Sequence, residues 1–467
     1  MNFMIIDLVI LGLFLIFTTS FLYRKRKEIK REGLLFLYRT SWGIKAIDKY
    51  SKKHPRTLNF MSWVAVILGY LLMIAMLYLF FRILYIYIFQ SEIVRAVKVP
   101  PIMPLVPYLP QMFSLNFLPP FYFSYWIIVL LIVAVSHEFF HGIFAGHAKV
   151  KTKTTGFGFF PFFFPVFLAA FVELDEKTMV TRSNFKQRAV LAAGTFANIL
   201  IALLGFVLMF SFFSLTFNAS GIIYDDYAYN VVNIDNINYV DGMPFQKENL
   251  VSLSYSNGLK EIKVGSQNYS ALKAYSSSNN LAILYYDSPA IKNNLTGAIL
   301  SIEGNKIYSI DSLSSELKKY SIGDTIKIET FDGKNKQIKE IILEENPNNP
   351  GSVWLGISFR DQTPKGFLAK FSYVFTSYKS PNVYYVPNFE AAQYIYDLLW
   401  WLVLISFSVA LVNMLPMGIF DGGRFFYLTV LAITKNKSKA EKSFKYLTKF
   451  LLILLLIVMF FWAKNIF

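Results

Sequence analysis

The stretch FYFSYWIIVLLIVAVSHEFFHGIFAG, residues 121–146, decides the fold, because it is apolar and long enough to cross a membrane as a helix. Near its end lies the sequence His137-Glu138-Phe139-Phe140-His141. Histidines four positions apart share one helix face, which is the spacing that a tetrahedral zinc ion needs. Polar groups in hydrocarbon are costly and are retained mainly for function. The stretch therefore predicts a membrane helix that carries a metal site.

The His-Glu-x-x-His pattern also arises by chance in unrelated proteins. The chain has only 4 histidines, and three of them fall between residues 137 and 147, which favours metal binding over chance. His147 lies off the face that His137 and His141 share, so an interfacial position is predicted for it. His54 is in a basic loop and is expected to be solvated. Two ligands are therefore predicted on this helix, with Glu138 beside them to accept a proton from water.

The composition is typical of a membrane protein with several spans. The chain is 55% hydrophobic and only 16% charged, and its mean hydropathy is +0.42. Its formal net charge of +16 is concentrated next to apolar spans, which is typical of cytoplasmic loops and not of a nucleic-acid-binding surface. These basic segments are 24–31, 149–153, 182–188 and 435–449. The absence of cysteine excludes thiol catalysis, disulfides and cysteine-ligated zinc.

Apolar segments of about twenty residues predict about six transmembrane helices. They lie at about 4–23, 60–89, 121–146, 188–213, 394–415 and 450–462. The first resembles a signal peptide in length, but its basic residues follow the apolar run and no small-residue cleavage site is present. A helix that stays in the membrane is therefore favoured. With six crossings, every basic cluster and the predicted metal site fall on the cytoplasmic side.

A third ligand is predicted at the end of the fifth span. There the sequence Asn413-Met414-Leu415-Pro416-Met417-Gly418-Ile419-Phe420-Asp421-Gly422-Gly423 contains a proline and glycines, which break a helix where freed backbone groups meet partners or a polar cavity. Asp421 lies in this broken segment, on the same side as the histidines. The alternative is that Asp421 only caps the next helix. Together with the histidine pair, the ligand interpretation is favoured.

These motifs resemble the two signatures of the site-2 protease family of intramembrane zinc metalloproteases. The matching residues are His137, Glu138, His141, Asn413, Pro416, Asp421 and Gly422. The resemblance implies that His137, His141 and Asp421 bind Zn²⁺ and that Glu138 is the general base. It also implies a metalloendopeptidase that cleaves membrane proteins in or near their transmembrane segments. The alternative is a catalytically inactive scaffold that presents a peptide-binding domain.

Two further motifs also resemble this family. Lys153-Thr154-Thr155-Gly156-Phe157-Gly158 resembles its Gly-x-Gly element, and the apolar segment that follows contains two prolines. This implies a re-entrant β-hairpin whose strand edge holds an unwound substrate. The sequence from Ala193 to Asn198 resembles the family's Gly-Pro-x-x-Asn motif, with Thr195 in place of the proline. Asn198 is therefore a candidate for stabilising the oxyanion or gripping the substrate backbone.

From about residue 218 to 361 the chain becomes polar and alternates like β-strands. Residues 287–307, with a helix at 309–320 and a strand at 323–328, resemble a PDZ domain, which binds extended peptides along a sheet edge. This domain is expected either to filter substrates or to act as a spacer. Residues 221–280 have no assignable pattern and are either an insertion or the first strands of the domain. Asn-x-Ser/Thr sequences, which fit an external surface but also arise by chance, begin at Asn218, Asn268 and Asn294.

The predicted fold is a polytopic α-helical membrane protein with a re-entrant β-hairpin and an inserted, extracytoplasmic, mainly-β PDZ-like domain. We place it in the cell membrane, with the active site toward the cytoplasmic side. Expected partners are single-pass membrane substrates, extended peptides at the PDZ-like domain and the lipid bilayer, and not nucleic acid. The predicted segments are N-terminal helices with an interfacial segment at 1–120, the first half of the protease core at 121–217, the PDZ-like domain at 218–365, the second half of the core at 366–430, and a loop with the last helix at 431–467.

Overall fold

The computed structural model describes residues 3–466 except 33, 34, 98, 102, 116, 160–167, 277, 278, 361, 362, 364 and 365. The chain forms two compact units. The first consists of Met1–Phe212 and Gln393–Phe467, and the second of Phe213–Ala392. The second unit is therefore inserted into the sequence of the first.

The second unit extends to Ala392, beyond the predicted boundary at residue 365. The reason is a strand at Val383–Pro387, which pairs with the strand Phe217–Ile222 at the start of the same unit. The chain thus completes a sheet of the second unit before it enters the next apolar helix.

Fourteen α-helices lie in the described residues. They are α1 (Phe3–Arg24), α2 (Ile44–Lys53), α3 (Pro55–Phe89), α4 (Ser91–Val97), α5 (Leu109–Met112), α6 (Phe123–His147), α7 (Glu176–Met179), α8 (Asn184–Thr216), α9 (Pro289–Lys292), α10 (Ile310–Leu317), α11 (Phe367–Thr376), α12 (Ala392–Asn413), α13 (Asp421–Thr434) and α14 (Lys437–Ile466). Six of them, α1, α3, α6, α8, α12 and α14, are long and apolar enough to cross a membrane. The six predicted apolar spans are therefore confirmed.

Two of these helices begin well before the predicted spans. Helix α3 begins at Pro55, and proline is favoured in a first turn because its missing N–H has no partner there anyway. Helix α14 begins at Lys437, and its lysine-rich first turns continue directly into the apolar part. Counting apolar residues locates the part of a helix that fits hydrocarbon, whereas the helix itself continues into the polar flank.

Twenty strands lie in the described residues. They are β1 (Ile29–Glu32), β2 (Leu35–Thr40), β3 (Thr152–Phe159), β4 (Leu168–Leu174), β5 (Phe217–Ile222), β6 (Asp226–Tyr227), β7 (Tyr229–Asn233), β8 (Ile237–Val240), β9 (Met243–Pro244), β10 (Ile262–Val264), β11 (Gln267–Ser276), β12 (Leu281–Tyr286), β13 (Ala298–Ile302), β14 (Asn305–Lys306), β15 (Thr325–Phe331), β16 (Lys336–Ile342), β17 (Glu344–Glu345), β18 (Val353–Trp354), β19 (Ile357–Ser358) and β20 (Val383–Pro387).

The core of the first unit is built where α3, α6, α8, α12 and α13 meet. Several of its fully buried residues are alanines, for example Ala65, Ala145, Ala192 and Ala410. Small residues let helix backbones approach closely, which is how helices associate where lipid provides no hydrophobic driving force. This close packing fixes the distances between side chains on neighbouring helices.

The first unit also contains a four-stranded antiparallel sheet in the order β1-β2-β3-β4. The predicted hairpin is present, because β3 pairs with β4 from Thr152 to Phe159. The connection between them, with Pro161 and Pro165, lies outside the described residues. Strands β1 and β2 were not predicted. They lie between the first two spans. The charged residues there predict which side of the membrane this segment faces, but they do not predict strands.

The second unit has two large sheets with separate cores and two two-stranded sheets, β17-β18 and β19-β6. One large sheet has the order β16-β15-β13-β5-β20, with β14 paired to β13, and contains the strands that resemble a PDZ domain. Leu313 of α10, the helix of this resemblance, packs in its core. The other has the order β7-β12-β11-β10-β8-β9 and is formed by residues 229–286. Since β5 pairs with β13, the chain leaves the first sheet after Ile222 and returns at Ala298. The unassigned residues 221–280 are therefore largely an insertion between two paired strands.

Candidate metal centre

Three predicted ligands from two helices meet in the first unit. His137 and His141 lie one turn apart on α6, and Asp421 is the first residue of α13. The two Nε2 atoms are 3.0 Å apart, and each lies 3.3 Å from Oδ2 of Asp421. Within the part of the chain that the structure describes, these three residues form the group that could hold a metal ion. The tertiary structure thus brings together residues separated by almost 300 positions.

The spacing of the three atoms fits a zinc ion. A tetrahedral zinc with ligand bonds of about 2.0–2.1 Å separates its ligand atoms by about 3.3–3.4 Å. The observed distances of 3.0, 3.3 and 3.3 Å are close to the edges of such a tetrahedron. Two imidazoles and one carboxylate are a donor set that suits zinc, and three protein ligands leave the fourth position open. Only 10% and 11% of the two histidine side chains is exposed.

Asp421 reaches the histidines because α12 ends at Asn413 and the chain turns before α13 begins. Gly422 allows this turn, since a Cβ there would lie 2.4 Å from the carbonyl oxygen of Met414. Pro416 is buried within the turn. The N-cap of α13 is Phe420, so the alternative that Asp421 merely caps this helix does not describe its position. Its carboxylate faces the two histidines instead.

Each histidine has a second contact through Nδ1. Nδ1 of His141 donates to the backbone oxygen of Val190 at 2.7 Å, which leaves Nε2 free to bind a metal. Nδ1 of His137 lies 3.1 Å from the amide nitrogen of Asn198, which is fully buried on α8. Asn198 therefore contacts the ring nitrogen of His137 that does not face Asp421.

Glu138 lies next to this group but is held by a strand. Its Oε2 accepts a hydrogen bond of 2.9 Å from the backbone N–H of Val172 on β4. Strand β4 is at the end of its sheet, so this N–H points away from β3 and toward α6. The glutamate thus connects the helix of the predicted ligands with the hairpin that follows it.

The comparison with known families agrees with this geometry. The model of Peptidase family M50 matches residues 125–458, which include the three predicted ligands and Glu138. The chain belongs to peptidase family M50. This is the site-2 protease family, so the resemblance seen in the sequence is confirmed. Family M50 enzymes are in general zinc-dependent metallopeptidases. No curated protein matches the chain significantly.

The M50 match begins within α6 and therefore excludes β1, β2 and α2, which complete the surroundings of the site. Arg39 on β2 forms an ion pair of 3.2 Å with Glu173 on β4. A hydrogen bond from the Thr154 hydroxyl, and then Arg39 itself, hold the pKa of Glu173 below its usual range. Strand β4 of the hairpin is thus held by Arg39 of β2 through Glu173 and by Glu138 of α6 through Val172. The available signal was the apolar run Leu35–Tyr38 in β2, but five of the six residues from Lys27 to Glu32 are charged.

Gly194 is a further residue of this M50 site whose role the sequence did not show. A Cβ at this position would lie 2.4 Å from Cε1 of His137 and 2.5 Å from Nε2 of His141. Only glycine leaves room for the two imidazoles at this place. The family resemblance covers the motif around Gly194. The role of this glycine depends on how closely α8 approaches the two histidines, which only the structure shows.

The other histidines and Arg424 are not part of the metal group. Nε2 of His147 lies 2.8 Å from Oδ1 of Asn59, which agrees with the predicted position off the metal face. His54 is exposed between α2 and α3. Arg424 forms a long ion pair of 3.6 Å with Glu176.

Proposed function

We propose that the chain is an intramembrane zinc metalloprotease that hydrolyses peptide bonds in or near transmembrane segments of membrane proteins. The observation that carries this proposal is the convergence of His137, His141 and Asp421 within a unit of apolar helices. The M50 match supports a metallopeptidase at the level of the family. Hydrolysis of a membrane-embedded substrate is the finer statement that we add.

In this mechanism His137, His141 and Asp421 hold the zinc ion. When bound, zinc lowers the pKa of water toward neutrality and polarises a carbonyl group. Glu138 takes the proton from the attacking water and then gives it to the leaving amine. Its position supports this role, because it follows His137 directly and lies within the same buried site.

We propose that Asn198 positions His137 and does not bind the oxyanion. If Nε2 of His137 binds zinc, Nδ1 carries the proton and needs an acceptor. Oδ1 of Asn198 is buried and has no hydrogen-bond partner among the described residues, while Nδ2 lies at 3.1 Å from Nδ1 of His137. Turning the amide over, an assignment that follows from the hydrogen-bond network, places Oδ1 where it accepts this proton.

We propose that the substrate binds as an added strand on β4. A transmembrane helix hides its peptide groups in internal hydrogen bonds, so it must unwind before hydrolysis. Outward N–H groups of an edge strand then provide partners for the extended segment. The outward N–H of Val172 donates to Glu138. Since N–H directions alternate along a strand, Ala170 presents the next.

We also propose the orientation and the role of the second unit. The four basic segments next to the apolar spans favour a metal site toward the cytoplasm, and the four spans that precede the second unit favour an extracytoplasmic position for it. The groove between α10 and residues 349–359 is lined by Leu313, Leu317 and Leu355. An extended substrate segment is its proposed ligand, as in a PDZ domain.

The alternative function is an inactive scaffold that presents this peptide-binding domain. Such a protein would have no need for a complete set of ligands and a general base. His137, Glu138, His141 and Asp421 are all present, and three of them meet at ligand distances. The protease is therefore the function that the site supports best.

The metal content of the detergent-purified chain tests this proposal first, with the wild type beside Asp421→Ala and Glu138→Gln. We expect one zinc per chain in the wild type, loss of zinc in Asp421→Ala, and retention in Glu138→Gln. Cleavage of a single-pass membrane peptide should disappear in both variants. Zinc binding that does not depend on Asp421, or cleavage by Glu138→Gln, would refute the proposed function.

A further inference from the structure

An apolar pocket lies beside Glu138 in the first unit. It measures about 50 Å³, and one of its walls is Glu138 itself. The other walls are mainly large apolar side chains, among them Trp42, Ile47, Val135, Phe139, Phe157 and Phe171. Among all residues that line the pocket, Glu138 alone is charged. A pocket that adjoins the proposed general base lies within reach of a substrate side chain next to the reacting bond.

One wall of this pocket comes from residues 40–47, which precede the M50 match at residue 125. The backbone of this segment is held firmly against the hairpin. The Thr155 hydroxyl donates to the backbone oxygen of Trp42 at 2.6 Å, and the Trp42 N–H donates to the Thr40 hydroxyl at 3.2 Å. The wall is therefore a built part of the site.

The floor of the pocket is equally close-packed. Ile47 on α2 is 1% exposed, and a Cβ added at Gly142 on α6 would lie 2.7 Å from its Cδ1. A Cβ added at Gly146, one turn further along α6, would lie 2.7 Å from Cβ of Ser51. This pair of glycines, four residues apart, lets α2 lie directly against the helix of the metal ligands. Trp42, by contrast, is 71% exposed and forms the rim.

The position of the pocket follows the proposed binding of substrate. A strand added to β4 sends alternate side chains to either face of the sheet. Ala170, Phe171 and Val172 of β4 all line the pocket. A side chain of the substrate strand paired with this part of β4 would therefore point into the pocket. A charged substrate side chain would lose its hydration in this pocket. Glu138 is the one charged lining residue that could pair with it, and such a pair would occupy the general base. An aliphatic side chain fills the space between the aromatic walls.

We infer that this pocket binds an aliphatic side chain of the substrate next to the scissile bond, and that Trp42 determines this specificity. The inference rests on the proposed protease function. It gives a part in the choice of substrate residue to a segment outside the part of the chain that matches family M50. The matched residues supply the chemistry and most of the pocket, and Trp42 closes the pocket from the segment that precedes them.

Amino-acid hydroxamates test this inference, because the hydroxamate group binds zinc while its side chain probes the pocket. Binding of the Ala, Leu, Phe and Asp hydroxamates to the zinc-loaded full chain is measured by calorimetry. We expect the Leu compound to bind about tenfold or more tightly than the Ala and Asp compounds. Trp42→Ala should remove this preference. Trp63→Ala, which truncates another exposed tryptophan on α3, should retain it.

A second variant reduces the pocket instead of opening it. Val135→Phe adds a ring to the inner wall, so the preference should reverse in favour of the Ala hydroxamate. An unchanged Leu preference in both Trp42→Ala and Val135→Phe would overturn the pocket while leaving the protease intact. Failure of every hydroxamate to bind the wild-type chain would refute the zinc site, and the inference would fall with it.

Discussion

The smallest features of the site are two residues of α8 that touch the metal ligands without binding metal. Gly194 leaves room for the imidazoles of His137 and His141, and Asn198 contacts His137 from behind. Ligand identity alone therefore does not make the site. The residues around the ligands decide whether three donor atoms lie at tetrahedral distances.

Gly194→Ala should abolish zinc binding. The added Cβ would lie within 2.5 Å of both rings, and the rings cannot move without leaving the metal position. Gly205→Ala on the same helix is the control, because its nearest neighbour, Val403, is 3.2 Å away. Zinc content and thermal stability are measured for both. A Gly194→Ala chain that binds zinc normally would contradict the observed packing.

Asn198→Ala should weaken zinc binding about 10–100-fold, as is typical when the outer partner of a ligand is lost. Asn198→Asp should restore much of the affinity, because a carboxylate also accepts the proton of His137. The affinity is measured by competition with a chelator. Unchanged zinc affinity with a reduced kcat would instead support the oxyanion role that the sequence suggested.

At the scale of elements, α1 is closely tied to the helix of the metal ligands. Asp7 of α1 is fully buried and accepts hydrogen bonds from the backbone N–H groups of Phe123 and Ser124 at 2.8 and 2.9 Å. These are the first two residues of α6, so a carboxylate from one helix caps another. The hydroxyl of Tyr108 donates to the same carboxylate. Helix α1 is outside the M50 match, yet it holds α6 in place.

Asp7→Ala should destabilise the first unit by about 1–3 kcal/mol, because buried N–H groups lose their acceptor. Unfolding of the purified protein in detergent measures this loss. Asp48→Ala, which removes an exposed carboxylate from α2, serves as the control and should have little effect. Equal stability of the two variants would show that Asp7 does not support α6.

Prolines in β4 test whether a substrate strand adds to its edge. The N–H of Ala170 points outward and that of Ala169 points toward β3, because directions alternate from Val172. Ala170→Pro should therefore reduce cleavage while zinc content and stability stay unchanged. Ala169→Pro should also destabilise the hairpin, since it removes a bond of the ladder. Normal cleavage by Ala170→Pro would refute strand addition.

At the scale of the whole molecule, the two units have separate hydrophobic cores, and their described residues contain one group that could hold a metal ion. The group lies entirely in the first unit, and both large sheets of the second unit have cores of their own. A ligand that binds only the folded state stabilises the structure to which it binds. Zinc should therefore act on the first unit alone.

Zinc removal should lower the unfolding temperature of the first unit and leave that of the second unchanged. At a free zinc concentration of 100 times Kd, binding contributes about 2.7 kcal/mol of stability. Calorimetry with and without a chelator measures both transitions. Asp421→Ala provides the control, because zinc should not shift its first transition. A zinc effect on the second transition would contradict independent units.

The sequence determined by itself the apolar spans, the β-rich insertion and the identity of the three predicted ligands. These follow from local properties: the length of apolar runs, the spacing of His137 and His141 on one helix, and the break that places Asp421 after the fifth span. It did not predict β1 and β2, because the apolar run of β2 is short and the residues before it are mostly charged. It left residues 221–280 unassigned, because an inserted sheet has no local signal that separates it from its host.

Only the tertiary structure decided how these parts cooperate. It brought Asp421 to 3.3 Å from both histidines, gave Gly194 its role, and placed Trp42 and Glu138 around the same pocket. These contacts join positions that are far apart in the chain, and their distances depend on close packing between helices. A local pattern specifies which face of a helix a residue occupies. Which atom lies opposite that face is fixed only when the helices pack.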